Sequence, residues 1–356
     1  MNILYLADEL NYADGVSTHL FYLLRGIIKN KNIRISLMCS GGDAIEKFKE
    51  AGIEVIVNGN FNHRTRSVKG FLSALKSVSG HCIDRDVNMI HSHNHYNANI
   101  ASASLKIRLN KKVKTVQTVH GIIPDTGKLN HLNAQSYVAV NDHVYQHLAK
   151  KILKEDKISL IYNGIDFRDS KIKSYNDRLK FISAGRLEEG KNTGLFIKAV
   201  SMLTETERSK AEFIIAGEGN KSDELKEADK NLSTGIKFTG LIKDLRTYFE
   251  NCDVFVMTSG SEGLPMSILE AAAEKVLVVT SAFNGVKNIL NENSDGFLYP
   301  VGNAEKLSVI LKTIIDKPER ICTFTDNFFR TAREKFNSAN MISKHTELYT
   351  KLLSQP

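Results

Sequence analysis

The chain has 356 residues, 42% hydrophobic and 25% charged, with a formal net charge of +8. That length is about twice an ordinary domain, so two domains with ample cores are expected, and no apolar stretch reaches the roughly 18 residues of a membrane span. Cys39, Cys82, Cys252 and Cys322 are scattered without a CxxC pair, which argues against a disulfide framework and a structural zinc site.

The N-terminus "MNILYLADEL" enters a short apolar strand with acids behind it. It lacks the basic start, long apolar run and cleavage site of a signal peptide, so a cytoplasmic protein is expected. In chain order, strands are predicted at "ILYLA" (3–7), "RISLMC" (34–39), "IEVIV" (53–57), "VNMIHSH" (87–93), "VKTVQTVH" (113–120), "SYVAV" (136–140) and "ISLIY" (158–162). Between them, stretches such as "THLFYLLRGIIK" and "GFLSALKSV" repeat apolar residues at helical spacing. Alternation of this kind builds a parallel sheet covered by helices.

The polar, turn-prone stretch "NGIDFRDSKIKSYNDR" (163–178) interrupts the pattern, which then restarts. Strands are predicted at "KFISAG" (180–185), "AEFIIAGEG" (211–219), "IKFTG" (236–240), "DVFVMTS" (253–259), "VLVVTS" (276–281) and "GFLYP" (296–300). The restart predicts two similar α/β domains, and "NMISKHTELYTKLLSQ" reads as a terminal helix. Ligands of doubly wound sheets sit at the carboxyl ends of strands, so candidate residues are sought there.

"DVFVMTS" runs into "GSEGLP" and then into the helix "MSILEAAAEK". Gly263 permits a sharp turn, Pro265 suits a first helical turn, and the free N–H groups of a helix start attract an anion. Glu262 in the turn and Glu270 one turn into the helix are unhelpful beside an anion unless they accept from hydroxyls of the same ligand. Anion plus hydroxyls means a nucleotide, a sugar phosphate or both. "SAGRLEEGKN" (183–192) places Arg186 and Lys191 after another strand, where two cations suit a leaving diphosphate.

"SEGLPMSILEA" resembles the Glu–seven residues–Glu motif of the retaining glycosyltransferases of family 4. The resemblance implies the GT-B fold, in which two Rossmann-like doubly wound domains face each other across a cleft. It gives Glu262 to the donor sugar, Glu270 to the ribose hydroxyls, and the backbone of Gly263, Leu264, Pro265, Met266 and Ser267 to the sugar and diphosphate. "GRLEEGK" is similar to the family's Gly-Arg-Leu…Lys element, which makes Arg186 and Lys191 the diphosphate clamps. By the same resemblance Gly15, in "DGVST", lies in the loop over the donor phosphates, where the family has two adjacent glycines and this chain has Asp14-Gly15. His120, at the end of "TVQTVH", falls beside the donor sugar or the acceptor. "AGEGN" (216–220) resembles a ribose-side strand end, and Leu241 and Ile242 after "FTG" are candidates to read the base. "AAAEKVLVV" has Glu274-Lys275 where the family commonly has a small residue and Gly, followed by Pro.

The resemblance runs from residue 3 to about 310 in the expected order. It implies an acceptor-binding domain over 1–165, a nucleotide-sugar domain over 166–339, and a terminal helix over 340–356 crossing back to the first domain. The expected activity is retaining transfer of a hexosyl or N-acetylhexosaminyl unit from a nucleotide sugar, with UDP the expected nucleotide, to an acceptor hydroxyl. A glycan or lipid-linked acceptor in cell-envelope synthesis is the expected partner. No metal or other cofactor is expected, with the leaving phosphate taking the acceptor proton. Asp84 and Asp86 have the Asp-x-Asp spacing of metal-dependent transferases but precede the strand at 87–93 and read as turn residues.

His91, His93 and His95 alternate at one strand end, but no carboxylate or Cys accompanies them and they are not read as a metal site. His143 and His147 read as helix residues. Residues 1–170 hold 22 Lys/Arg against 15 Asp/Glu, and residues 171–356 hold 26 against 25. The basic excess gathers in "HRTRSVK" (63–69) and "KIRLNKKVK" (106–114), as a solvated face or as contacts to an anionic membrane at the inner face. Three other readings remain open at this stage: a non-hydrolysing nucleotide-sugar epimerase of the same fold, a non-catalytic nucleic-acid-binding protein, and a catalytically dead, structural relative, against which stands the completeness of the paired Glu and Arg/Lys elements. Against nucleic acid, the basic stretch has no interleaved aromatics and no recognition motif.

Overall fold

The computed structural model describes residues 1–109, 113–123, 132–151, 155–168 and 178–355. Two compact units share the chain: Met1–Tyr12, Val16–Gly164 and Ser338–Pro356 form one, and Ala13–Gly15 with Ile165–Asn337 form the other. Most of the interrupting stretch (169–177) lies outside the described residues, as do residues 110–112 of the second basic cluster.

In the first unit the elements run β1 (Asn2–Leu6), α1 (Gly15–Ile27), β2 (Arg34–Cys39), α2 (Ile45–Glu50), β3 (Glu54–Val57) and α3 (Val68–Asp84). They continue β4 (Met89–Ser92), α4 (His95–Ile107), β5 (Lys114–Val119), β6 (Ser136–Ala139), α5 (Asp142–Lys151) and β7 (Ile158–Leu160). The strand order is β3-β2-β1-β4-β5-β6-β7, with every pairing parallel. Short β-branched runs with helix-forming segments between them produce this wound sheet, because a parallel neighbour can be reached only by a crossover. Side-chain caps start the helices: Ser67 accepts from the Gly70 N–H and Asn94 from the Asn97 N–H. Leu4, Leu6, Ile90, Ile100 and Val78 meet in the core between sheet and helices.

The second unit holds β8 (Leu179–Ala184), α6 (Gly194–Ser201), α7 (Glu205–Ser209), β9 (Ala211–Ala216), α8 (Ser222–Leu232) and β10 (Lys237–Gly240). After these come α9 (Leu245–Phe249), β11 (Val254–Met257), α10 (Met266–Ala273), β12 (Leu277–Ser281), β13 (Gly296–Tyr299), α11 (Ala304–Asp316) and α12 (Ile321–Lys335). Its strand order is β10-β9-β8-β11-β12-β13, again all parallel. Phe181, Phe196, Phe213, Val256 and Leu307 are among the buried residues of its core.

The last helix, α13 (Ser338–Ser354), begins two residues before the predicted start at 340 and groups with the first unit. A Cβ at Gly26 would lie 1.9 Å from the end of the Ile342 side chain, so a larger residue there makes that side chain move where α13 packs on α1. Pro265 does not enter the first helical turn: it sits at the N-cap of α10 with extended ψ, 119°. Its ring fixes the approach to the helix, and the helical turn begins one residue later.

Candidate active site

In both sheets the strand order reverses once, between β1 and β4 and between β8 and β11. At such a reversal the loops leave in opposite directions and open a crevice at the carboxyl ends. Arg186 and Lys191 follow β8, and Glu262 and the start of α10 follow β11. Three predicted site residues and the start of α10 therefore flank one reversal point.

Lys191 Nζ donates to Glu262 Oε1 at 2.5 Å, with both side chains mostly buried (31% and 16% exposed). Residues 71 positions apart in sequence thus share one charge pair across the β8/β11 boundary. The Lys191 carbonyl accepts from Thr258 Oγ1 at 2.7 Å, which ties the Lys191 turn to the end of β11. Thr258 was not singled out in the sequence, because the predicted strand ran on to Ser259 whereas β11 ends at Met257. Arg186 Nη1 donates to Glu188 at 3.2 Å and is about two-fifths exposed, so its guanidinium remains open to water.

Pro265 supplies no side-chain cap to α10, so the first amides of that helix carry the positive end of its dipole toward the same strand end. Leu264, Pro265 and Met266 are buried, whereas Gly263 and Ser267 are partly exposed beside the half-buried Glu262. Glu270 lies one turn into the helix and is also partly exposed. At the helix's other end Glu274 pairs with Arg246, and Lys275 adopts a left-handed φ of +51°. Glycine is the residue that takes that conformation without strain, which gives a reason for the glycine the resembling family has there.

Three further strand ends are laced together by backbone. The Gly185 N–H donates to the Ala216 carbonyl, the Leu187 N–H to Glu218, and the Gly217 N–H to Gly240. A Cβ at Gly217, whose φ is +134°, would stand 1.9 Å from the Gly185 carbonyl oxygen. The glycines of "AGEGN" are therefore what lets the β8 and β9 ends touch. Leu241 and Ile242, both partly exposed, follow β10, two strands from β8 in the sheet order.

Of the remaining candidates, Gly15 groups with the second unit and His120 with the first. Gly15 opens α1 and is exposed, and His120 follows β5 and is partly buried. His120 Nε2 is 3.1 Å from His93 Nδ1. Around them lies a group the sequence did not bring together: His19 on α1, His91 in β4, His93 after β4, and His345 and Tyr349 on α13. His91 is hydrogen-bonded to the Tyr349 hydroxyl at 2.7 Å and to Thr118 Oγ1 at 2.8 Å, and the Tyr349 and Tyr5 hydroxyls are 2.9 Å apart. Burial first, and then the neighbouring histidines, lowers His19, His91 and His93 well below the usual imidazole range. Burial pushes His120 down to about 3 and His345 to about 4. The rings are neutral at physiological pH. His95, grouped with His91 and His93 by alternation, instead opens α4 and lies beside His63. The alternation fails there because β4 ends at Ser92.

Asp84 ends α3 and Asp86 has a left-handed φ of +48°. The Asp86 carbonyl accepts from Asn2 and Asn88, at the amino ends of β1 and β4. Both aspartates thus lie toward the amino ends of the strands, and His120 follows the carboxyl end of β5.

Two family models match the chain, one after the other. Residues 13–169 match one described as Glycosyltransferase Family 4, and residues 165–330 match Glycosyl transferases group 1. A Campylobacter jejuni protein named GalNAc-alpha-(1->4)-GalNAc-alpha-(1->3)-diNAcBac-PP-undecaprenol alpha-1,4-N-acetyl-D-galactosaminyltransferase is 28% identical over 186 residues, 50% of each chain. The Escherichia coli UDP-Gal:alpha-D-GlcNAc-diphosphoundecaprenol alpha-1,3-galactosyltransferase is 28% identical over 210 residues, 54% of each chain. The chain thus spans about half the length of these curated relatives. Among solved structures, Anabaena Alr3699/HepE in complex with UDP-glucose matches 99% of this chain and 100% of its own, with a TM-score of 0.83 and 18% identity. A glycosyltransferase from Rickettsia africae matches 100% and 99%, with a TM-score of 0.81 and 20% identity. At those identities the likeness carries the fold, which is GT-B.

Proposed function

For a chain that carries the two domain families of GT-B glycosyltransferases, we propose retaining transfer of a hexosyl or N-acetylhexosaminyl unit from a UDP-sugar to a hydroxyl of a lipid-linked envelope glycan. The observation that carries this reading is the Lys191–Glu262 pair at the β8/β11 reversal, beside the uncapped start of α10. It offers a cation, a carboxylate and a row of amides at one strand end, which are the groups a sugar diphosphate needs. The α-linkages and diphospho-undecaprenol substrates in the relatives' names, and the UDP-glucose bound by the Anabaena neighbour, support donor and acceptor class.

In the proposed reaction Lys191 and Arg186 neutralise the diphosphate as the anomeric C–O bond breaks, aided by the backbone N–H groups of Gly263, Leu264, Met266 and Ser267. Glu262 positions the donor sugar, Glu270 accepts from the ribose hydroxyls, and the backbone at Leu241 and Ile242 contacts the base. Gly15 offers its amide to the donor phosphates, and neutral His120 holds a sugar hydroxyl. The acceptor oxygen bonds to the anomeric carbon from the face that UDP leaves, and its proton passes to the leaving phosphate. No side chain acts as a nucleophile, and no metal takes part in the transfer.

The test is a screen of UDP-sugars with an undecaprenyl-diphosphate-linked acceptor, followed by proton NMR of the product. An α-linked product from an α-linked donor is expected; a β-linked product overturns retention. Work at the membrane is part of the reading, through the basic side chains of 63–69 and 106–114. Arg64, Arg66 and Lys69 precede or open α3, whose Val68 and Leu72 are exposed. Sedimentation with anionic vesicles is expected at low salt and lost at high salt; no binding at low salt makes these residues a solvated face.

A further inference from the structure

We propose that His19, His93 and His120 form a binding site for one nitrogen-preferring transition-metal ion of the zinc class, placed at the strand reversal of the first sheet. One ring nitrogen from each of the three lies within 4.8 Å of the others. They come from three segments that the topology brings together: α1 after β1, the loop after β4, and the loop after β5. β4 is the neighbour of both β1 and β5.

The spacing is close to what coordination needs. Zinc–nitrogen bonds of about 2.0–2.1 Å in a tetrahedral site hold ligand nitrogens roughly 3.3–3.4 Å apart. His93 Nδ1 and His120 Nε2 are already 3.1 Å apart. The His19 ring centroid is 5.5 Å from that of His93 and 5.0 Å from that of His120, so a small ring rotation brings its nitrogen to the same point.

Hydrogen bonding within the group is incomplete: His93 Nδ1 and His120 Nε2 share one hydrogen bond, which a metal ion would replace. Both ring nitrogens of His19, and Nε2 of His93, are buried with no hydrogen-bond partner in acceptable geometry among the described residues. The Asn163 side chain stands near enough to His19 to favour its protonated form, without forming a bond of that quality. Burying an imidazole in this way costs free energy. Three neutral rings that share one hydrogen bond and leave three buried nitrogens without one gain from a cation held among them.

The donor set also selects the ion. Three imidazoles with no carboxylate in the group suit zinc, cobalt, nickel or copper, and offer nothing to magnesium or calcium. A fourth position is left for water, reached past His120, the least buried of the three. His91, whose ring centroid lies 4.5 Å from that of His93, is fixed by Tyr349 and Thr118 and packs on the His93 ring. Occupation would pin α1 to the ends of β4 and β5.

The experiment is a cobalt titration of the tag-free, chelator-treated full chain, read by the visible absorption of four-coordinate cobalt and by equilibrium dialysis. One equivalent is expected to bind, to be displaced by zinc, and to be unaffected by excess magnesium. His120→Ala and His93→Ala are each expected to weaken binding by at least about 100-fold, while His63→Ala leaves it unchanged. Absence of saturable one-to-one binding to the native chain overturns the proposal, whatever the variants do. So does full-affinity binding with the same spectrum in a His120→Ala protein whose circular dichroism is native.

Discussion

Where the strand order reverses in the first sheet, the chain places five imidazoles and two tyrosine hydroxyls, nearly all buried and neutral. Where it reverses in the second, it places Lys191, Arg186 and Glu262, ionic and in contact with water. The same topology therefore supports opposite chemistry, and burial separates the two. Neutral rings tolerate a dry crevice as long as most of their polar atoms find one another. Charges need water, a counter-ion or a ligand. The Lys191–Glu262 pair supplies the counter-ion within the chain, and a ligand that gives each partner something better exchanges it.

That difference is tested most severely at Glu262. Glu262→Ala is expected to lower turnover by roughly 100- to 1000-fold, the range for removing one group that acts on the reacting centre. UDP affinity should change little, because Lys191 is then free for the diphosphate. Steady-state kinetics beside calorimetry with UDP separates the two quantities. A variant with full turnover removes Glu262 from the site.

Glu270→Ala should show the reverse division. Losing a charge-assisted hydrogen bond to a ribose hydroxyl costs on the order of 1.5–3 kcal/mol, or roughly 10- to 100-fold in UDP affinity. The same calorimetric titration reads it, and undiminished affinity would place the ribose elsewhere.

In the first unit the expected effect is on stability and leaves UDP binding alone. Tyr349→Phe removes the hydroxyl that bonds both Tyr5 and His91, leaving two buried groups short of a partner. The expected loss is about 1–3 kcal/mol, a fall in melting temperature of several degrees. A fall in UDP affinity of tenfold or more would mean that the buried network serves the nucleotide.

Much of this was readable before any coordinates. The thirteen strands among the described residues arise at the apolar runs that predicted them, because a strand buried on both faces advertises itself as a short apolar run between turns. Arg186, Lys191, Glu262 and Glu270 were marked by the motifs around them and by lying past strand ends. What periodicity does not carry is which strand neighbours which. Lys191 meets Glu262 only because β8 lies beside β11, and His19 meets His93 only because β1 lies beside β4. His19 itself, inside the apolar run "THLFYLL", looked like one more position on a helix face. Tyr349 and His345 join the group through α13, a helix more than 200 residues from β5 in the chain. Pro265 was misread by one position because its fixed φ serves both the N-cap and the first turn.

The smallest effect is expected at the amino ends of the first sheet's strands. Asp84 and Asp86 have the spacing of a metal-holding pair, yet they stand at the amino ends of β1 and β4, away from the carboxyl-end crevices. The double variant Asp84→Asn/Asp86→Asn should be silent for reasons that can be followed residue by residue. Asp86 has a φ of +48°, a conformation asparagine accepts at least as well as aspartate. Asp84 is the last residue of α3, where a negative charge opposes the helix dipole and its loss costs nothing. Both side chains are exposed, so no buried partner is abandoned. Turnover should stay within about twofold of the parent, the size expected of an exposed substitution away from any site. Excess chelator should not lower it either, since Arg186, Lys191 and the start of α10 carry the charge of the diphosphate. Loss of activity in both arms, restored to the parent by manganese or magnesium, would show that the diphosphate is held by a metal and that the Lys191–Glu262 crevice is not where it leaves.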